Sequence, residues 1–168
     1  AAKAGVTTGE WGATIRAAFG EYRAPTGVSR NPSNRTEGLE PIREAVQAVS
    51  AKLGRPLKFL VGKPGLDGHS NGAEQIAARA RDCGMDIHYE GIRLTPTEIV
   101  TAAIEQRVHV LGLSILSGSH LALITETLEK MRKNGLGNVP LIVGGIIPEQ
   151  DAVALRAMGV AAVYTPKD

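Results

Sequence analysis

The sequence predicts an open α/β domain whose five strands form a parallel sheet wound on both sides, and three observations carry that reading. From Leu57 onward, short β-rich apolar runs alternate with stretches whose apolar residues recur at helical spacing, the signature of successive βαβ units. The third and fourth runs are almost continuously apolar, as strands buried in the middle of a parallel sheet are. Helix start and stop residues fall between the runs, where crossovers belong.

Taken in order, residues 1–56 differ from the rest. Trp11–Phe19 reads as a short amphipathic helix, Gly20–Gly38 has no periodicity and reads as an irregular crossing segment (Pro25, Gly27, Pro32, Asn34), and Leu39–Leu53 reads as a second helix. A stretch this long without a core of its own is expected to lie against a partner, so residues 1–56 read as a linker or strap. Because the sequence opens on Ala1-Ala2, it reads as a fragment or a processed piece. The strands expected next are Leu57–Gly62, Asp86–Glu90, His109–Ile115, Pro140–Val143 and Ala161–Tyr164. Between them come helices over Gly72–Cys83, stopped by Gly84; over Pro96–Gln106, with Pro at its first turn after Thr95; over about His120–Asn134; and from Pro148 to near Gly159. Five strands joined by four right-handed crossovers give a flavodoxin-like sheet over residues 57–168.

Composition narrows the function classes. At 168 residues and 43% hydrophobic content the chain can bury one proper core. Nineteen Lys and Arg against 17 Asp and Glu leave a net charge of +2, scattered along the chain, so no basic footprint for nucleic acid is visible. Cys83 is the only cysteine, which excludes an internal disulfide and a cysteine zinc cluster and fits a reducing cytoplasm. The longest apolar stretch, Val108–Leu116, falls well short of the roughly 20 residues a membrane-spanning helix needs, and no signal-like pattern opens the chain.

The chemistry concentrates in Asp67-Gly68-His69-Ser70-Asn71-Gly72, directly after the first strand. In an open α/β sheet, ligands bind beyond the carboxyl ends of the strands, so His69 points into the binding crevice. Asp67 can accept a hydrogen bond from one imidazole nitrogen and leave the other for a metal. Taken alone, Asp-x-His-x-x-Gly is also what a strand-to-helix turn would use. Two further features fall at the same sheet edge: Ser114 and Leu116 at the end of the third strand, and Gly144-Gly145 at the end of the fourth. Adjacent glycines there permit a ligand to approach the backbone, or make an ordinary turn; Ser114 can equally cap the next helix.

Asp67-x-His69-x-x-Gly72, Ser114-x-Leu116 and Gly144-Gly145 together resemble the cobalamin-binding domain of the adenosylcobalamin-dependent acyl-CoA mutases and methionine synthase. The wording Gly62-Lys63-Pro64-Gly65-Leu66-Asp67-Gly68-His69-Ser70-Asn71-Gly72-Ala73-Glu74 is most similar to ethylmalonyl-CoA mutases. Gly9-Glu10-Trp11 and Phe19-Gly20-Glu21-Tyr22-Arg23 resemble the junction that follows the substrate-binding barrel in acyl-CoA mutases, which favours a mutase over methionine synthase.

The resemblance implies adenosylcobalamin as cofactor, bound base-off, with His69 replacing the cofactor's dimethylbenzimidazole as the lower cobalt ligand. It implies that Asp67 orients and polarises His69, that Ser114 lies beside the buried benzimidazole, that Gly144 and Gly145 line the tail channel and that Gly72 opens the first helix beside the tail. Gly68, Ser70 and Leu116 join them as cofactor-binding residues. The ending Tyr164-Thr165-Pro166-Lys167-Asp168 departs from the Gly-Pro-Gly type of methylmalonyl-CoA mutases, so no tail contact is assigned there. The implied function is that of the cofactor domain of a radical carbon-skeleton mutase, converting ethylmalonyl-CoA to methylsuccinyl-CoA. Its implied partners are a substrate-binding barrel of the same enzyme, an acyl-CoA bound there and a second copy in a homodimer; this chain alone is expected to be inactive.

Methylmalonyl-CoA mutase, and a methyl-carrier or regulatory cobalamin-binding domain, use the same motifs; the latter usually place a helical cap before the sheet. A receiver or flavin module shares the fold, but a receiver needs an aspartate where Ser114 stands. Of the other histidines, His88 and His109 fall in expected strands and read as hydrogen-bonded or partly exposed. His120 is expected to touch the cofactor's periphery, to cap its helix or to face solvent. Cys83 reads as structural.

Overall fold

The computed structural model describes residues 2–20, 38–116 and 118–165. Most of the expected crossing segment and the last three residues lie outside them. Two helices come first, α1 (Thr8–Phe19) and α2 (Glu40–Leu53). They are followed by β1 (Lys58–Pro64), α3 (Asn71–Asp82), β2 (Asp86–Leu94), α4 (Pro96–Glu105), β3 (Val110–Ile115), α5 (His120–Lys133), β4 (Leu141–Gly145), α6 (Glu149–Ala157) and β5 (Ala162–Tyr164). All strand pairs are parallel and the order is β2-β1-β3-β4-β5, the expected flavodoxin-like arrangement. The chain winds outward from β1 to β2 and then back past β1 to β3. This reversal opens a crevice at the carboxyl ends of β1 and β3.

Local sequence sets the boundaries. Thr95 and Glu98 form a reciprocal capping box at α4, with Pro96 supplying a preset φ at its first turn. Thr7 and Glu10 do the same for α1. Gly84, at φ 90°, accepts the left-handed turn that ends the α3 region. Three strands outrun their expected ends: β1 continues through Lys63 to Pro64, β4 runs on to Gly145, and β2 reaches Leu94, with bulges taking up extra residues after Tyr89.

The sheet's two faces are covered unequally. On one, Leu60, Leu111, Leu141 and Val143 pack with Ile99, Ile124 and Leu155 of α4, α5 and α6 into the main core. On the other, α3 lays Ala73 and Ala77 over Phe59 and Val61. The expectation that the fourth strand is buried on both faces needs correction: β4 alternates, with Leu141 and Val143 buried and Ile142 and Gly144 half-buried. Helices cover one face of its apolar run, and at its end Gly144 and Gly145 line a cleft.

The N-terminal helices also differ from each other. Nothing in α1 is buried, and Trp11, Ile15 and Phe19 lie exposed at helical spacing. Helix α2 is docked on the sheet domain: Val46 is buried, Arg43 Nε donates to the Asp82 carbonyl at 2.9 Å and Ser50 Oγ accepts from Leu57 N–H at 3.0 Å.

Candidate functional site

The site grows from the end of β1. Lys63, next to last in that strand, is buried, its side chain 1% exposed. A buried ammonium is costly unless paired, and its partner is Asp67, one short turn later, at 3.0 Å from Nζ to Oδ2. Lys63 Nζ also donates to the Ser114 carbonyl at 3.1 Å and to Ser114 Oγ at 3.4 Å, stitching the ends of β1 and β3 together. Ser114 thus receives the lysine rather than capping α5.

Asp67 is saturated with donors. Its Oδ1 accepts from the His69 backbone N–H at 2.9 Å and pairs with His69 Nδ1 at 2.8 Å, while Oδ2 accepts from Leu116 N–H at 3.3 Å. Burial works against the charge on Asp67, but the His69 N–H, Lys63 and the His69 imidazole together outweigh it and hold the carboxyl well below the usual carboxylate range. A permanent carboxylate at Oδ1 makes Nδ1 the protonated nitrogen and leaves the lone pair on Nε2. The His69 side chain is 79% exposed, and Nε2 has no partner among the described residues.

Beside His69 lies a cleft of about 1180 Å³ between α3 and the carboxyl ends of β1, β3, β4 and β5. Its walls include His69, Gly72, Ser114, Leu116, Gly144 and Gly145, so six of the nine expected binding residues share one cavity. Asp67 stands behind His69, and Gly68 and Ser70 complete the loop without lining the cleft. Leu39 and Ile42 of α2 and Cys83 line it too; they were not expected there.

The two glycines separate on close inspection. A Cβ on Gly144 would meet nothing within 4 Å, so this residue leaves open space to the cleft. A Cβ on Gly145 would stand 1.7 Å from the Ile115 carbonyl oxygen, so glycine is demanded there by the neighbouring strand itself. Gly145 lines the cleft as well, but the close approach that requires its glycine is to β3.

His120 neither faces solvent nor caps α5. It is 5% exposed and does not line the cleft; its Nε2 pairs with Asp151 of α6 at 2.8 Å while Nδ1 is buried without a partner among the described residues. His88 pairs with Glu90, and His109 Nδ1 accepts from Lys58 N–H, as strand histidines were expected to do. Sequence reasoning passed over Lys63. A lysine directly after the apolar run Phe59–Gly62, four residues before an aspartate, was the available signal.

Among the described residues no group of three or more His, Cys, Asp or Glu side chains could hold a metal ion. One free imidazole beside a large, mostly apolar cleft fits a metal that arrives already chelated by an organic ring. Comparison with known proteins agrees. Residues 57–167 match the family described as the B12 binding domain. The chain is 79% identical over 168 residues to ethylmalonyl-CoA mutase of Cereibacter sphaeroides and 58% identical over 168 residues to that of Methylorubrum extorquens, in each case along all of this chain. It spans only 26% and 24% of those relatives' lengths. Among solved structures, a cobalamin-binding protein from Desulfitobacterium hafniense shares the fold, with a TM-score of 0.59 and 20% identity, covering 90% of this chain and 69% of that one.

Proposed function

This chain belongs to the B12-binding domain family, and from that premise we propose that it holds adenosylcobalamin base-off, with His69 on cobalt, as the cofactor domain of an ethylmalonyl-CoA mutase. The observation that carries the reading is the divided imidazole: Nδ1 is held at 2.8 Å by a carboxylate that cannot readily protonate, and Nε2 is offered outward. When bound, the cofactor supplies radical chemistry through homolysis of its cobalt–carbon bond.

The chain's own residues then have distinct tasks. His69 presents one lone pair in a fixed tautomer. Asp67 fixes that tautomer and orients the ring, as carboxylates behind metal-bound histidines do. Lys63 keeps Asp67 ionised and ties it to β3. The cleft takes the displaced nucleotide tail, with Gly144 and Gly72 giving clearance and Ser114 beside the base.

Residues 57–168 form the cofactor-binding unit in this reading, and residues 1–56 lead from a substrate-binding barrel supplied by the rest of a cytoplasmic, homodimeric enzyme. The mutase assignment rests on the likeness to ethylmalonyl-CoA mutases along the whole of this chain, about a quarter of their length; rearrangement to methylsuccinyl-CoA is proposed from it. The radical must be shielded from water and side reactions, and the sheet edge that carries His69 lies open. The 168-residue chain is accordingly expected to bind adenosylcobalamin, with an absorption change marking loss of the benzimidazole ligand, and to convert no ethylmalonyl-CoA. Conversion by the chain alone would overturn this division of labour, and absence of the absorption change would overturn base-off binding.

A further inference from the structure

We propose that Arg93 is a second anchor for the cofactor, donating hydrogen bonds from its guanidinium to carbonyl oxygens of the amide groups on the corrin rim. The inference rests on the reading of His69 as the cobalt ligand and extends it to a residue outside the recognised motifs.

Three observations support it. From Val61 to Pro64, β1 advances three residues while its neighbour advances five, from Tyr89 to Leu94, so β2 carries two successive bulges at its carboxyl end. Bulges beside functional sites commonly re-aim a side chain. Arg93 lies in the second bulge at φ 60°, a left-handed conformation that a non-glycine residue adopts at a cost. Such strain is retained where the surrounding structure imposes it, and it clusters at ligand clamps.

The second observation is where this conformation sends the side chain. A Cβ on Gly68 would lie 3.3 Å from Nη2 and 3.8 Å from Nε of Arg93, so the guanidinium is laid along the residue that precedes His69. Arg93 therefore borders the ligand loop, and it is absent from the lining of the tail cleft.

The third is that Arg93 is exposed and has no hydrogen bond or ion pair to any described residue, while Lys63 and Asp67 already pair with each other. Five N–H donors thus border the metal position with nothing to bind. A macrocycle seated on His69 is much wider than the imidazole beneath it. Its rim carries primary amides, whose carbonyl oxygens are the acceptors a guanidinium fork suits.

The test is equilibrium binding, followed by absorption, of cobalamin and of cobinamide, which keeps the corrin amides but lacks the nucleotide tail. Arg93→Ala is expected to raise Kd about 10- to 100-fold, the worth of a charge-assisted hydrogen bond, by the same factor for both ligands. Arg93→Gly, which accepts φ 60° without strain, is expected to melt no lower than wild type and to show the same loss. Wild-type affinity in both variants would reduce the guanidinium to loop packing and overturn the proposal, as would a loss confined to cobalamin, which would place the contact on the tail. If wild type itself fails to bind cobalamin, or His69→Ala leaves the bound spectrum unchanged, the reading of His69 fails first and this inference falls with it.

Discussion

The loop after β1 and the seam between α5 and α6 each hold a histidine against an aspartate at 2.8 Å, yet the two pairs are built for opposite ends. At the loop, the carboxylate is the buried partner and the imidazole is 79% exposed. At the seam, the His120 side chain is 6% exposed and its second nitrogen is sealed without a partner. A carboxylate–imidazole pair offers a ligand only where the far nitrogen reaches open space. Otherwise the same chemistry is a brace between helices.

The largest effect expected from breaking this contrast is at Asp67. Asp67→Ala leaves the Lys63 ammonium buried and unpaired, so urea unfolding should show a loss of about 3–5 kcal/mol. Combining Lys63→Met with Asp67→Asn should return most of that stability while cobalamin affinity stays roughly 10- to 100-fold down, because the support behind His69 is still missing. Full recovery of affinity in the double variant would make Asp67 a turn residue only.

At the seam the pattern should invert. Asp151→Ala strands a buried imidazole and should cost about 1–3 kcal/mol with the cobalamin Kd unchanged; a shifted Kd would mean that the seam transmits to the site.

Next in size are the glycines. Gly144→Leu should fold normally and weaken cobalamin binding by about tenfold, since one blocked close approach is worth roughly 1.4 kcal/mol. Gly145→Ala should instead lower stability, by about 1–3 kcal/mol, through overpacking against Ile115. Tight binding by folded Gly144→Leu would move the tail elsewhere.

The smallest effect is a near-zero one. Because the folded pKa of Asp67 is depressed, its contribution is fully present above the unfolded value of about 3.9 and is lost as pH falls below it. The stability difference between wild type and Asp67→Asn should therefore be level from pH ~7 to ~5 and shrink only below about pH 4. A difference that faded already near pH 6 would show that Asp67 is not held ionised as the geometry requires.

Much of this was legible in the sequence because local signals and the global fold agree. The parallel strands, the crossover helices and the shared edge of His69, Ser114 and Gly144 follow from apolar runs, capping residues and the rule that parallel sheets bind ligands at their carboxyl ends. What could not be read depends on neighbours distant in sequence. The role of Gly145 is set by a carbonyl of β3, the burial of His120 by Asp151 of α6, and the fate of Lys63 by Ser114. The apolar run of β4 was ambiguous for a related reason: an unbroken apolar run reports apolar surroundings, and full burial on one face with half-burial on the other satisfies it as well as burial on both. The bulges that turn Arg93 toward the ligand loop arise from register against β1, which no single strand encodes.

The central claim is that His69 Nε2 is the ligand on the lower face of cobalt. Electron paramagnetic resonance of cob(II)alamin bound to the chain tests it directly, with protein histidine nitrogen labelled as ¹⁵N and the cofactor left unlabelled. The account predicts a superhyperfine splitting that changes from the ¹⁴N to the ¹⁵N pattern on labelling and vanishes in His69→Ala. A splitting that ignores the label would come from the cofactor's own benzimidazole and would contradict it.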